Sequence, residues 1–292
     1  MMQRPDIGEM ILHHTSDAHE IAFEWPWGGE SVIHLPPAGS WMVHVGSVGI
    51  DLTPTKHVVF LAFAAFLVWL TMFLTGRALT RQRAQGGAPK GVASMIEAMV
   101  VYVRNDVAIA NIGHHGGATF APYILTLFWL ILYCNLLGLL PFGATATGNL
   151  AVTGALAITA FATIEISGMV ALGPKGYLKT IVFVPPGTTG LTAVILTIIM
   201  IPIELIGKLV KPFALMLRLF ANMTAGHFVI LSLMGLIFLF GTGPFLVRWG
   251  VAGGSVVFVL FMMSLELLVA VLQAYIFALL TSVFIGLMQH EH

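Results

Sequence analysis

Arg218 stands in KPFALMLRLFANMTAGH, residues 211–227, a run made mostly of Leu, Phe, Ala and Met. An arginine at the centre of a bilayer costs roughly 2.5–3.5 kcal/mol on insertion scales, so such a charge persists where it meets a partner or a watery path. The plain structural alternative is an arginine that snorkels, or one held by carbonyls inside a bundle. At 100° per residue, Glu204, Lys211, Arg218 and Asn222 fall within about 40° of one another on one helix face, with Lys208 at its edge. His227, nine residues beyond Arg218, faces the opposite way. In a second apolar run Glu266 and Gln273 are seven residues apart and share a face. An imidazole and a carboxylate on antiparallel neighbouring helices, with amides nearby, could make a hydrated path that accepts protons. The alternative is buried hydrogen-bonded pairing that only sets helix register.

Composition sets the class of protein that carries these groups. Of the 292 residues 58% are hydrophobic and 9% charged, against about 25% charged in soluble domains. Mean hydropathy is +0.95. Together these predict an all-α membrane protein with several spans. Thirteen basic and thirteen acidic residues cancel, so nothing favours nucleic acid as a partner. One cysteine, Cys134, excludes an internal disulfide framework. The start, MMQRPDIGEMILHH, lacks the apolar core of a cleaved signal.

The elements follow in chain order. Residues 1–56 are acidic, and short apolar–polar alternations (HEIAFEW, ESVIHL, WMVHVG) separated by WPWGG and PPAG predict small β-hairpins. His13, His14, His19, His34 and His44 match no metal-ligand spacing and read as strand and loop histidines. Residues 57–75 carry no charge beyond His57 and are long enough to span. Residues 76–118 hold Arg77, Arg81, Arg83 and Lys90, then an amphipathic surface helix over 92–112 and a turn at His114-His115-Gly116-Gly117. The membrane core, 119–292, opens with a span over 120–140 and an uncharged loop, 143–148. The next span, 150–172, contains Glu165 and is followed by Lys175 and Lys179. Basic, uncharged and basic loops alternate, which by the positive-inside rule puts the N-terminus outside and the C-terminus in the cytoplasm.

The last two apolar segments, 203–240 and 256–288, exceed thirty residues each. As helix that is about 50 Å, more than the ~30 Å hydrocarbon core takes upright. Five transmembrane helices result, the last two overlong and steeply tilted as a hairpin joined at Gly241-Thr242-Gly243-Pro244, with a kink at Pro212.

KPFALMLRLFANMTAGH and LELLVAVLQAYIFALLTSVFI (265–285) together resemble subunit a of the rotary F-type ATP synthase. The family's pattern has an Arg before Leu-Phe or Leu-Thr, then Gly or Ala, Asn, and a Gly with His or Glu. Its last helix has a His or Glu seven residues before a Gln in an LQAxIFxxLT run. Weaker resemblance runs from DLTPTKHVV at Asp51 through NLAVTGALAITA at Asn149, whereas residues 1–50 have no clear counterpart. Many bacterial members place Glu on the first long helix and His on the second. Here His227 and Glu266 are exchanged, as in the mitochondrial version, which keeps one acid and one imidazole together.

The resemblance implies a stator in a bacterial plasma membrane, without catalysis or cofactor of its own. Its partners would be a rotating ring of small carboxylate-bearing subunits, peripheral-stalk subunits and other ATP synthase subunits. Protons, or sodium ions, would enter from outside near His227, Glu266, Gln273 and Asn222. They would leave to the cytoplasm near Glu204 and the Lys208 and Lys211 end, with Glu165 close by, while Arg218 gates exchange with the ring and blocks a short circuit. Two other classes fit less well. A stand-alone secondary transporter or channel needs internal repeats with broken helices in matching places, and none is evident. An intramembrane metalloenzyme needs a ligand set such as HExxH, and none occurs.

Overall fold

A computed structural model of the chain describes residues 17, 19–24, 30–37, 39–45, 48–51, 53–84, 90–140, 145–182 and 190–290. His13, His14, the expected turn at 25–29 and the first part of the loop at 143–148 lie outside the described residues. Among the described residues four short strands come first: β1 (Glu20–Glu24), β2 (Glu30–His34), β3 (Met42–Val45) and β4 (Val48–Asp51). They pair as two antiparallel hairpins, with Ala22 opposite Val32 in the first and Val43 opposite Ile50 in the second. Asp51 ties the second hairpin to the chain that follows. Its Oδ1 accepts from the Thr53 hydroxyl and from the Thr53 N–H at 2.9 Å, and its Oδ2 accepts from Gly39 N–H at 2.8 Å. These bonds, the Thr53 hydroxyl first, hold its carboxyl below the usual carboxylate range.

Among the described residues six helices follow, as expected of an all-α membrane protein. Helix α1 (Lys56–Ala84) carries no charged residue between His57 and Arg77, and Arg81 and Arg83 in its last turn suit the negative end of the helix dipole. Helix α2 (Val92–Tyr102) runs on through a π-helical stretch, Val103–Ile109, and one more turn, Ala110–Ile112. A turn is expected at His114-His115-Gly116-Gly117, but the break falls one residue earlier. Gly113 alone takes a positive φ (95°), and helix α3 (His114–Gly138) starts directly after it. Gly117 serves packing instead: a Cβ there would stand 2.6 Å from the Ile109 Cα.

Helix α4 (Leu150–Ile181) breaks at Gly173, whose φ of 69° and ψ of 166° only glycine adopts freely. Pro174 then opens the second piece, a position where its missing N–H costs nothing. Helix α5 (Leu191–Leu239) has 49 residues and is uninterrupted at Pro202 and Pro212. Helix α6 (Phe245–His290) has 46. Both are longer than the apolar pattern alone predicts, and the hairpin turn between them falls at residues 240–244, as expected, closed by Gly243 N–H to Phe240 O at 3.0 Å. At 1.5 Å per residue each spans about 70 Å, far more than an upright crossing needs. Lys56–Ala84, Gly116–Gly138, Leu150–Thr180 and Phe245–Gln289 are each long and apolar enough to cross a membrane.

Contacts divide the chain into two compact units. The first is Met1–Trp69, Leu130–Val152 and Leu219–Gln273; the second is Leu70–Trp129, Thr153–Arg218 and Ala274–His292. Among the described residues, Ile131, Cys134, Leu219, Met223 and Ala270 are buried in the first. Val107, Ile112, Ile124, Phe277 and Ile285 are buried in the second. Each long helix therefore contributes to both cores, changing at Arg218 in α5 and at Gln273 in α6.

Candidate functional site: two polar clusters and a lone arginine

In the first unit, α5 and α6 bring His227 and Glu266 together. His227 Nε2 is 3.9 Å from Glu266 Oε1, with the carboxylate side chain 4% exposed and the imidazole 23%. The same ring nitrogen pairs with the Thr145 hydroxyl. Both carboxylate oxygens are buried without a hydrogen-bond partner among the described residues. A buried acid left that way is expensive unless it takes up a proton or meets water. Seven residues beyond Glu266 on α6 and five before His227 on α5, Asn222 Nδ2 donates to Gln273 Oε1 at 3.0 Å. The expected partners on the two long helices therefore do meet.

The same unit holds polar residues that the sequence reading passed over. Asn135, fully buried on α3, donates to the Ala270 carbonyl at 3.2 Å, and the Thr147 hydroxyl donates to Asn135 Oδ1 at 2.7 Å. Ala270 lies between Glu266 and Gln273 on α6, so this pair borders the site. The signal was an amide alone in LFWLILYCNLLGLL, where a buried polar side chain needs partners.

In the second unit the groups are ionic. Lys208 Nζ lies 3.8 Å from Glu165 Oε2, with side-chain exposures of 6% and 13%. The ammonium also donates to Thr180 Oγ1 at 3.3 Å and sits 4.6 Å from the centre of the Tyr177 ring. The Tyr177 hydroxyl donates to Glu165 Oε2. These contacts exist because α4 breaks at Gly173, which returns Tyr177 and Thr180 toward Glu165. Glu165, Lys208, Glu204 and Lys211 line one cavity of about 20 Å³ together with Phe284 and Pro212, room for about one water. Lys211 is exposed, its ammonium 5.0 Å from the Phe284 ring centre. Lys208 thus turns inward, where helix periodicity places it at the edge of an exposed stripe.

Arg218 belongs to neither cluster. It is exposed on α5 and makes no hydrogen bond, ion pair or ring contact with a described residue. Ala221, Asn222 and Ala225 are exposed on the same helix, as is Leu217. Among the described residues no group of three or more His, Cys, Asp or Glu is placed to hold a metal.

The profile of the family described as ATP synthase A chain matches residues 48–286, most of the chain. The chain belongs to the ATP synthase A chain family. It is similar to ATP synthase subunit a of Chloroherpeton thalassium, 47% identical over 281 residues, which cover 96% of this chain and 77% of that protein. It is 45% identical over 280 residues to ATP synthase subunit a 2 of Chlorobaculum tepidum, covering 96% and 72%. Against ATP synthase subunit a of Anaeromyxobacter dehalogenans the figures are 42% over 288 residues, 96% and 70%. As an ATP synthase A chain, it is the stator of a membrane sector and works with other ATP synthase subunits in ATP synthesis and ion transport.

Proposed function

We propose that the two polar clusters serve two proton half-channels, and that Arg218 is the point where a ring of carboxylate-bearing subunits meets this chain. The observation that carries this reading is Arg218 itself: a permanent charge, exposed on an apolar helix, with no partner among the described residues. In hydrocarbon such a charge demands an anion from outside the chain. Exposed Ala221 and Ala225 beside it leave room for a helix to approach closely.

On this reading the chain sits in a bacterial plasma membrane with the N-terminus outside and the C-terminus in the cytoplasm, beside a peripheral stalk. Protons enter from outside past His227, Glu266, Asn222 and Gln273 and neutralise a ring carboxylate. The neutral acid can turn through lipid, whereas the ionised one cannot. On the cytoplasmic side the proton leaves through the cavity lined by Glu204, Glu165, Lys208 and Lys211. The Arg218 guanidinium favours the ionised carboxylate by opposite-charge attraction and repels any proton moving directly between the half-channels. Each charge crossing the potential yields about 2.3 kcal/mol per 100 mV, so several protons are needed per ATP.

The test is ATP-driven acidification of inverted membrane vesicles, wild type against Arg218→Ala at equal assembly. Pumping is expected to stop, while passive proton leak through the membrane sector persists or rises. Unimpaired pumping would reduce Arg218 to a structural residue.

A further inference from the structure

The first unit holds a third set of ionisable groups that none of the above uses. His57, in the first turn of α1, is 4% exposed, and its Nε2 lies 3.9 Å from Asp17 Oδ1. Asp17 is the surface member of this pair, its side chain 35% exposed against 5% for His57. Asn149 Nδ2 donates to the other Asp17 oxygen at 3.0 Å, while Asn149 Oδ1 accepts the Ala151 N–H at 2.8 Å, which fixes the amide's orientation. Buried Lys56 adds a positive charge on the same helix turn, and Asp17 and Lys56 are the charged groups that act on the His57 ring.

Thr145 links this set to the site already described. The Thr145 backbone lies close enough to the His57 ring to act on it, and the Thr145 hydroxyl pairs with His227 Nε2. A single residue therefore has one imidazole at its backbone and another at its side chain. Asp17 is the exposed end of the series, its side chain 35% exposed, and Glu266 the buried end at 4%. His57 Nδ1 is buried with no hydrogen-bond partner among the described residues, the remaining ring atom that can take or release a proton. Fastening the chain around Asp17 to α1 would explain the carboxylate and the amide. It does not explain a buried imidazole with one nitrogen orphaned.

We propose that Asp17 and His57 form the proton-collecting end of the path that leads to His227 and Glu266. The inference rests on the half-channel reading above. Asp17 draws hydronium to the mouth of the site, and the proton it takes from water passes to His57. The imidazolium then gives up a proton to a water beside Thr145, and that water protonates His227. Each transfer returns its donor to the starting state. His57 is the ionisable carrier, because imidazole changes charge near neutral pH, and Asp17 supplies the compensating charge while His57 is protonated.

The experiment uses the whole ATP synthase in liposomes, with synthesis driven by a potassium diffusion potential at equal pH on both sides. His57→Ala in an assembled complex is expected to slow synthesis about a hundredfold, the low end of what a positioned proton-transferring side chain contributes. Added imidazole should restore most of the rate, since a diffusible carrier replaces the missing one. Asp17→Asn, at a surface position, should slow synthesis less and without loss of assembly. A wild-type rate for assembled His57→Ala overturns the proposal, as does a loss that imidazole leaves untouched, which marks a structural clamp. If His57→Ala fails to assemble, Asp17→Asn decides, and an unchanged rate there overturns the proposal. Glu266→Gln in the same assay separates the two readings. If it synthesises normally the half-channel reading fails, and if it stops while His57→Ala does not, only the collecting site fails.

Discussion

Gly226 on α5 and the Glu266 carboxylate on α6 are in contact, so close that a methyl group at residue 226 would stand 2.6 Å from Oε1. The absent side chain is what allows a buried acid to lie beside the next residue, His227. Gly226→Ala should therefore push Glu266 away from His227, with an overpacking penalty of about 1–3 kcal/mol. Proton conductance and thermal stability of the assembled membrane sector read the two effects. Wild-type values for both would mean that the carboxylate has another place to go.

The Asn222–Gln273 bond joins an exposed amide to one that is 2% exposed. Asn222→Leu, Gln273→Leu and the double variant form a cycle that isolates it. A coupling of about 0.6 kcal/mol is expected, the usual size of a hydrogen bond between helices in a membrane. Strict additivity of the two single variants would show that the amides act separately.

Lys208 and Glu165 are buried together, so either one alone becomes a stranded charge. Lys208→Met should destabilise the protein by about 3–5 kcal/mol. Adding Glu165→Gln to that variant should recover much of the loss, because the Tyr177 hydroxyl and the neutral amide can still bond. Heat-induced loss of the assembled complex measures both. A double variant as unstable as the single one would argue that the lysine matters for packing alone.

Asp51 gives a pH signature away from the helices. Its folded-state pKa is depressed, by the Thr53 hydroxyl first and then by the Thr53 and Gly39 amides. The stability it adds is present above the ordinary carboxylate pKa of 3.8 and is lost as pH falls through the lower folded value. Hydrogen exchange at the Thr53 and Gly39 amides should therefore stay slow at neutral pH and become faster only in strong acid. Asp51→Asn should show fast exchange at every pH. Protection unchanged in Asp51→Asn would place the restraint elsewhere.

Among the described residues Arg218 has no partner, while His227 pairs with Glu266, Asn222 with Gln273 and Lys208 with Glu165. The last pair joins residues that the sequence reading grouped only loosely, and its Tyr177 and Thr180 partners were not foreseen. A glycine break at residue 173 brings them back to Glu165, and hydropathy registers only a helix end there. Asn135 and Thr147 were missed for a related reason. Their chemistry lies in contacts across twelve and 135 residues, which no periodicity encodes.

Composition and spacing alone determined that this is an all-α membrane protein with two overlong helices turning at residues 241–244, and which face of α5 carries Arg218 and Asn222. Those features are local: apolar run length, a 100° step per residue and glycine with proline at a turn are all written in neighbouring residues. Tertiary structure decided which polar residues meet, that Lys208 turns inward, that His114 opens a helix, and that Asp17 and His57 join the Thr145 side of the His227 site. Those outcomes depend on how helices distant in sequence pack, and on glycines whose missing Cβ lets a neighbour in.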